Sequence, residues 1–317
     1  MERVRIPALD REVSRVALGT WSMGGWMWGG ADTRAARATI HRALDEGIDI
    51  IDTAPVYGFG LSEELVGDVL AERGCRDQVV IATKFGMVFD ERHEPWRDCS
   101  PASIRREVHA SLKRLRTDVI DIYQAHWPDD STPFEETAAE LERLRDEGLV
   151  KAVGVCNYSA AQMAAFEGGG HLDTTQFRYN IFERAPEAGV LPYAISRSLA
   201  TFAYSPLARG LLTGTMTSGH EAHDQARRAE MFHGEAFERH LAAVTRLDEF
   251  ARREYGRRVI HLAIRWVLDQ PGMLVALWGA RKPEQLSPVS GVWGFSIDDD
   301  ARAEIDRIVA EETGAAR

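Results

Sequence analysis

The sequence predicts an α/β fold, a closed (β/α)8 TIM barrel, and three observations carry the prediction. Eight short β-rich runs recur along 317 residues: "RVALGTWS", "IDIIDTAP", "QVVIATKFG", "VIDIYQAHW", "KAVGVCNYS", "TTQFRYN", "ATFAYSPL" and "MLVALWGAR". Stretches with apolar residues at helical spacing separate them. The runs are too continuously apolar for a sheet with one wet face, which implies parallel strands covered on both sides by helices. Eight alternations favour closure over an open doubly wound sheet. Length is compatible with one such barrel, so residues 1–317 are read as a single domain.

The elements follow in order. "VRIPALDREVSRVA" at the N-terminus reads as a β-hairpin turning near Asp10-Arg11 and closing the barrel bottom. After the first run, "TRAARATIHRALDEG" starts behind the cap pair Asp32-Thr33 and stops at Gly47. "SEELVGDVLAERG" repeats that plan with Ser62 as its expected cap and Gly74 as its stop. "SPASIRREVHASLKRL" begins at Ser100, with Pro101 in the first turn where a missing N–H costs nothing. Further helical patterns cover about 133–147, 159–167, 187–199, 240–254 and 258–269. Residues 206–240, after the seventh strand, form a long loop on the face where such barrels do chemistry.

Composition narrows the class. The chain is 44% hydrophobic and 27% charged, ordinary for a globular protein, and its net charge of −11 offers no positive field for nucleic acid or an anionic membrane. The start lacks a signal-peptide core, and no stretch approaches the ~18 apolar residues of a membrane span, so a cytoplasmic location is expected. Cys75, Cys99 and Cys156 suit reduced thiols better than a disulfide framework or a zinc site. Gly168, Gly169 and Gly170 follow a helix, so they are not a Gly-rich dinucleotide turn between strand and helix.

The strand ends hold the chemistry. Asp52 closes the second run with Tyr57 just beyond it; Lys84 closes the third, His126 the fourth and Asn157 the fifth. Gln176 lies in the sixth run, and Tyr204-Ser205 end the seventh. An ammonium at a barrel mouth is costly unless a partner offsets its lost hydration, and Asp52 on the neighbouring strand is that partner. Taken singly, an Asp–Lys pair reads as a structural bridge and a Tyr or His as packing. Together on adjacent strands they suggest a cation that lowers the Tyr57 pKa from ~10 toward working pH, as a general acid requires. Trp21, Trp26, Trp28, Phe85 and Trp127 cluster around the same mouth and suggest an aromatic-walled substrate pocket.

At these residues the sequence resembles the aldo-keto reductases, from about residue 4 to 312. "DTAPVYGFGLSEELVG", "IATKFG" and "IDIYQAHWPD" are similar to that family's aspartate–tyrosine, lysine and histidine segments. The resemblance implies an NADPH-dependent reduction of aldehydes and ketones on the tetrad Asp52, Tyr57, Lys84 and His126, with Tyr57 as proton donor and His126 orienting the carbonyl. "VGVCNYS" is similar to the strand-five nicotinamide segment, so Asn157 carries over as a carboxamide ligand, with Cys156 standing where serine is usual. Gln176 matches the second amide ligand, and Tyr204 the aromatic that stacks on the nicotinamide. "SPLARGLLTG" resembles the pyrophosphate strap, with Ser205, Leu207 and Gly210 in it. The same resemblance sets Gly19, Thr20, Trp21 and Gly279 against NADP(H), and puts Arg281, Lys282 and Gln285 at its adenosine phosphate. Trp278, Pro288 and Val289 depart from the pattern there. "RAEMFHGEAFERH" and "RYNIFER" resemble a bacterial branch that includes the vegetative and inositol-associated reductases.

Two other readings stay open at this point. A metal-dependent barrel hydrolase would want several strand-end histidines, and here His126 alone ends a strand. A non-catalytic, NADP(H)-sensing regulatory subunit would keep the tetrad. Small carbonyl compounds are the expected partners, for a monomer or weak oligomer.

Overall fold

A computed structural model of the chain describes residues 1–219 and 229–314. The barrel is closed by eight parallel strands: β3 (Val16–Gly19), β4 (Ile50–Asp52), β5 (Val80–Phe85), β8 (Ile120–Ala125), β9 (Val150–Cys156), β10 (Thr174–Arg178), β11 (Ala200–Tyr204) and β12 (Val275–Gly279). Each pairs with its neighbour in this order, and β12 returns to β3 with Gly279 opposite Gly19. Helices α1 (Thr33–Asp45), α2 (Leu61–Arg73), α3 (Pro101–Leu115), α4 (Phe134–Asp146), α5 (Ala160–Phe166), α6 (Val190–Ser196), α7 (Gly234–Tyr255) and α8 (Val259–Leu268) fall between or after the strands as the periodicity predicts. α9 (Asp299–Thr313) is an addition that the sequence reading lacked. None of the described helices is long and apolar enough to cross a membrane.

Side chains alternate between two cores, because successive residues of a strand point to opposite faces. Ala17, Ile50, Val80, Ala82, Ile122, Ala152, Phe202, Val275 and Leu277 fill the barrel, whereas Leu18, Ile51, Ile81, Phe85, Tyr123 and Val153 meet the helices. This period of two places the chemistry. On β5 the inward row is Val80, Ala82, Lys84, and on β4 it is Ile50, Asp52. The same parity sends Phe85 outward, where it is 1% exposed and packs on Tyr123 at 4.9 Å between centroids. Phe85 is therefore a core residue and not part of the substrate pocket.

The N-terminal hairpin, β1 (Arg3–Ile6) with β2 (Arg11–Ser14), turns at Asp10, which sits at φ 50°. Its Ile6 and Val13 join the barrel-interior cluster and plug the bottom, as expected. Ile6→Ala should then cost about 2–5 kcal/mol of stability through the cavity it leaves, read from the urea midpoint, with activity per folded molecule retained because the site is at the other end. A midpoint unmoved by the substitution would show that the plug carries no stability.

Three local expectations are corrected. Helix α2 is capped by Gly60 at φ 102°, not by Ser62. The Ser62 hydroxyl is buried and bonded to Thr53 (2.9 Å) and Thr20 (2.7 Å), tying the helix start to the strand ends. The stretch 187–199 is split: a 3-10 turn (Ala185–Ala188) precedes the short α6, since Gly189 breaks the helical path. A second hairpin, β6 (Met87–Phe89) with β7 (Pro95–Arg97), is an addition beside the mouth, with Met87 on the cleft. The loop expected over 206–240 is shorter, because α7 already begins at Gly234 and Ala208–Thr213 form a 3-10 helix; of it, residues 220–228 lie outside the described residues, and so does the first residue of "RAEMFHGEAFERH".

Candidate active site

Lys84 is fully buried, which demands that every proton of its ammonium find an acceptor. Its Nζ donates to Asp52 Oδ1 (2.7 Å), to the Thr53 carbonyl (3.0 Å) and to the Tyr57 phenol oxygen (3.3 Å). Three donors meet three acceptors. Burial pulls the Lys84 pKa down, but Asp52 and the other groups around it outweigh that and raise it above its ordinary value, so the ammonium stays charged. The second carboxylate oxygen of Asp52 accepts from the Gln176 side-chain amide at 2.8 Å.

The Tyr57 phenol differs from the sequence expectation in its electrostatics. Burial raises its pKa above the ordinary 10, and the opposing pull of Lys84 does not restore it. The phenol is therefore neutral and carries its proton at any working pH. Because its oxygen accepts from Lys84, its own O–H is left to aim elsewhere, and Tyr57 lines the cleft. His126 lies edge-on to it at 5.6 Å between ring centroids. Burial, followed by the Lys84 charge, holds the His126 pKa well below its usual 6.5, so the imidazole is neutral and can donate one hydrogen bond without competing as an acid.

The cleft above these groups has a volume of about 580 Å³. Trp21, Trp26, Trp28 and Trp127 stand in its wall as expected, joined by Met87 from the β6–β7 hairpin. Trp21 stacks on Tyr57 at 6.0 Å and meets the edge of Trp28 at 5.7 Å. Gly19, Cys156, Asn157, Gln176, Tyr204, Ser205, Leu207, Gly210, Gly279, Arg281 and Gln285 line the same cleft. Lys282 borders a smaller adjoining cavity of about 380 Å³ with Arg281, Gln285 and Asp32. Thr20 does not reach the cleft: it is fully buried, and its hydroxyl donates to the Asp52 carbonyl at 2.9 Å. Its role is to fix the ends of β3 and β4.

Asn157 and Tyr204 are bonded to each other, the phenol donating to the amide oxygen at 2.8 Å. Asn157 sits at φ 65°, a conformation asparagine tolerates better than most residues, and its amide donates to the His126 carbonyl at 3.0 Å. Cys156 Sγ donates to Gln176 Oε1 at 3.6 Å, and burial pushes this thiol up to about 12, so it is an inert donor where a serine hydroxyl was the usual expectation. Gln176 is thereby held from both ends of its amide, by Asp52 and by Cys156.

Two charged cleft residues went unnoticed in the sequence. Arg178 and Arg209 both line the cleft and share one carboxylate, Glu183, at 3.3 Å and 3.2 Å. Arg178 lies two residues past Gln176 on one strand, so strand parity alone puts both in the interior. Arg209 belongs to the strap segment, where Ala208, Arg209 and Gly210 hold successive left-handed φ values of 47°, 54° and 100°. Such a run is costly for side chains with a Cβ and clusters at binding sites. Among the described residues no group of three or more His, Cys, Asp or Glu side chains is placed to hold a metal.

The sequence model of the aldo/keto reductase family matches residues 15–310. The chain is 47% identical over 311 residues to the aldo-keto reductase YhdN of Bacillus subtilis, covering 98% of this chain and 94% of the relative. It is 35% identical to the NADH-specific methylglyoxal reductase of Escherichia coli, covering 98% and 99%. Among solved structures, the glycerol dehydrogenase AKR11B4 from Gluconobacter oxydans superposes with a TM-score of 0.92 at 45% identity, over 99% of this chain and 97% of that one. With a buried lysine, aspartate, tyrosine and histidine gathered at the mouth of a closed barrel and a family match spanning nearly the whole chain, this protein belongs to the aldo/keto reductase family of nicotinamide-dependent oxidoreductases.

Proposed function

We propose that the chain is an NADP(H)-dependent carbonyl reductase that converts aldehydes and ketones to alcohols reversibly, with Tyr57 as general acid. The observation that carries the reading is the fully buried Lys84, bonded to both Asp52 and the Tyr57 phenol beside a neutral His126. The cleft fits a nicotinamide dinucleotide by its donor set. Asn157 and Gln176 present side-chain amides beside the Tyr204 ring, which suits a flat ring bearing a carboxamide. Gly279 leaves open space where a Cβ would stand. Ser205, Leu207 and Gly210 would hold the pyrophosphate, with Arg178 and Arg209 supplying charge. Gly19 and Trp21 would border the cofactor, and Arg281, Lys282 and Gln285 would take the adenosine end. When bound, the cofactor supplies the hydride.

The protein's own groups do the rest. Tyr57 delivers its proton to the substrate oxygen, and Lys84 stabilises the phenolate left behind, held in place by Asp52 and Gln176. His126 orients that oxygen from the other side. Trp21, Trp26, Trp28, Trp127 and Met87 exclude water and accept flat or apolar bodies, so the wall is permissive. We read the protein as cytoplasmic, a monomer or weak oligomer, on small carbonyl compounds.

NADPH is preferred over NADH in this reading, because a guanidinium and an ammonium stand together at the adenosine end. Arg281→Ala should weaken NADPH more than NADH, by about 1.5–3 kcal/mol for a lost charged hydrogen bond. Binding of both cofactors, followed by tryptophan fluorescence, and their consumption against a carbonyl panel test the whole reading. Binding without consumption of either cofactor by any carbonyl would turn the assignment to a sensing subunit, and equal loss for both cofactors would remove Arg281 from the phosphate site.

A further inference from the structure

Loop 25–30 carries Trp26, Met27 and Trp28 of the cleft wall on a backbone held from within by one turn alone. Gly25, Met27, Gly29 and Gly30 all have positive φ, between 64° and 94°, and the glycines bring large conformational freedom. Within the loop, the amides of Trp28 and Gly30 both donate to the Gly25 carbonyl, at 3.0 and 3.1 Å. From outside, the Trp26 ring packs on Phe59 at 5.3 Å, and the loop's carbonyls are held across more than 250 residues: Arg281 Nη1 donates to the Trp28 carbonyl (2.5 Å) and Nη2 to the Gly30 carbonyl (2.6 Å). The other end of this strut is fixed. Gln285 Oε1 accepts from the backbone amides of Arg281 (2.7 Å) and Lys282 (3.0 Å), and the buried Trp278 indole donates to the Gln285 carbonyl at 3.0 Å.

We propose that Arg281 is a clasp that positions the aromatic loop from the adenosine end of the cleft, and that a phosphate bound at that end competes with the loop carbonyls for the same guanidinium. The proposal's second half rests on the NADP(H) reading; the clasp itself does not. Mechanically, Trp28 touches the edge of Trp21, and Trp21 stacks on Tyr57, so the clasp bears on the reacting end of the cleft. Electrostatically, the adjoining cavity holds Lys282 and Asp32, whose charges offset each other, and the Asp32 carboxylate also caps α1 by accepting from the Ala35 amide at 3.0 Å. A phosphate there finds net attraction only by drawing on Arg281, and a dianion is a stronger acceptor than a carbonyl. The adenosine 2′-phosphate would then loosen the loop that NADH leaves clasped, making the cofactor's phosphate a determinant of how wide the substrate wall stands.

The test uses cofactor-free protein. Hydrogen exchange of peptides spanning 24–31 is measured for wild type, Arg281→Ala and Arg281→Lys, since the Trp28 and Gly30 amides report the loop directly. Both variants should exchange roughly tenfold or more faster in this loop with the rest of the barrel unchanged, because a lysine keeps the charge and cannot bridge two carbonyls. Adenosine 2′,5′-bisphosphate should speed the same peptides in wild type, and 5′-AMP should not. Unchanged loop exchange in Arg281→Ala overturns the clasp. Bisphosphate that binds wild type by calorimetry and leaves the loop as protected as before overturns the competition. Bisphosphate that binds no better than 5′-AMP refutes the NADPH preference instead, and the variants still decide the clasp.

Discussion

Tyr57→Phe should lower carbonyl reduction by about 10²- to 10⁴-fold, the range a general acid supplies, while the binding of NADPH proposed above should change little. The phenol touches Lys84 and the cleft, and its loss takes one acceptor from the ammonium while the bonds to Asp52 and the Thr53 carbonyl, which tie the strand ends, remain. Burial holds its proton well above the ordinary phenol range, so the acid is fully protonated through neutral pH. His126, held neutral, adds no titration there. The wild-type rate of reduction should accordingly be flat from about pH 6 to 8 as far as these two groups are concerned. Steady-state kcat/KM for an aromatic aldehyde and a fluorescence titration with NADPH measure the two halves of the statement. A Phe variant that keeps most of its kcat would remove Tyr57 from the mechanism.

The second large effect belongs to Lys84→Met. The thioether fills similar volume but strips Asp52 of its cation inside the protein, and an uncompensated buried charge costs about 3–5 kcal/mol. Asp52 keeps its bond from Gln176, which limits the damage without removing it. Activity should fall as well, because the phenol would lose the one neighbour that favours its ionised form, and proton delivery in the proposed mechanism would leave an unstabilised oxygen. Pairing the change with Asp52→Asn separates the two consequences. The double variant should regain part of the stability and none of the activity. If Lys84→Met unfolds at the wild-type denaturant midpoint, the buried pair is not holding the strand ends together; if it keeps wild-type kcat, Lys84 does not serve the acid.

Strand parity explains why so much of this site was legible. A parallel barrel buries both faces of each strand, so an aspartate or lysine closing an apolar run has no solvent to face and must be functional or paired. Asp52, Lys84, Cys156 and Gln176 could be placed from sequence because each lies at or near the C-terminal end of its barrel strand, in a row that points inward. Arg178 was equally readable from its spacing to Gln176 and was missed because arginines in loops and strand ends are so often solvated. Phe85 went the other way: its neighbour Lys84 faces in, so it had to face out.

What the sequence determined by itself is the alternation, the helix boundaries set by Asp32, Ser100, Gly74 and Gly47, and the family, since these depend on local spacing and residue type. What only the tertiary structure decided are quantities that depend on the whole surroundings of an atom. The sign of the Tyr57 shift is one: proximity to Lys84 was readable, but burial, which outweighs it, is a property of the packed barrel. The partners of short polar side chains are another, as with Thr20 and Ser62, whose hydroxyls are spent joining strand to helix. The reach of Arg281 across the mouth to the Trp28 and Gly30 carbonyls is the third, because no local pattern relates residues more than 250 positions apart.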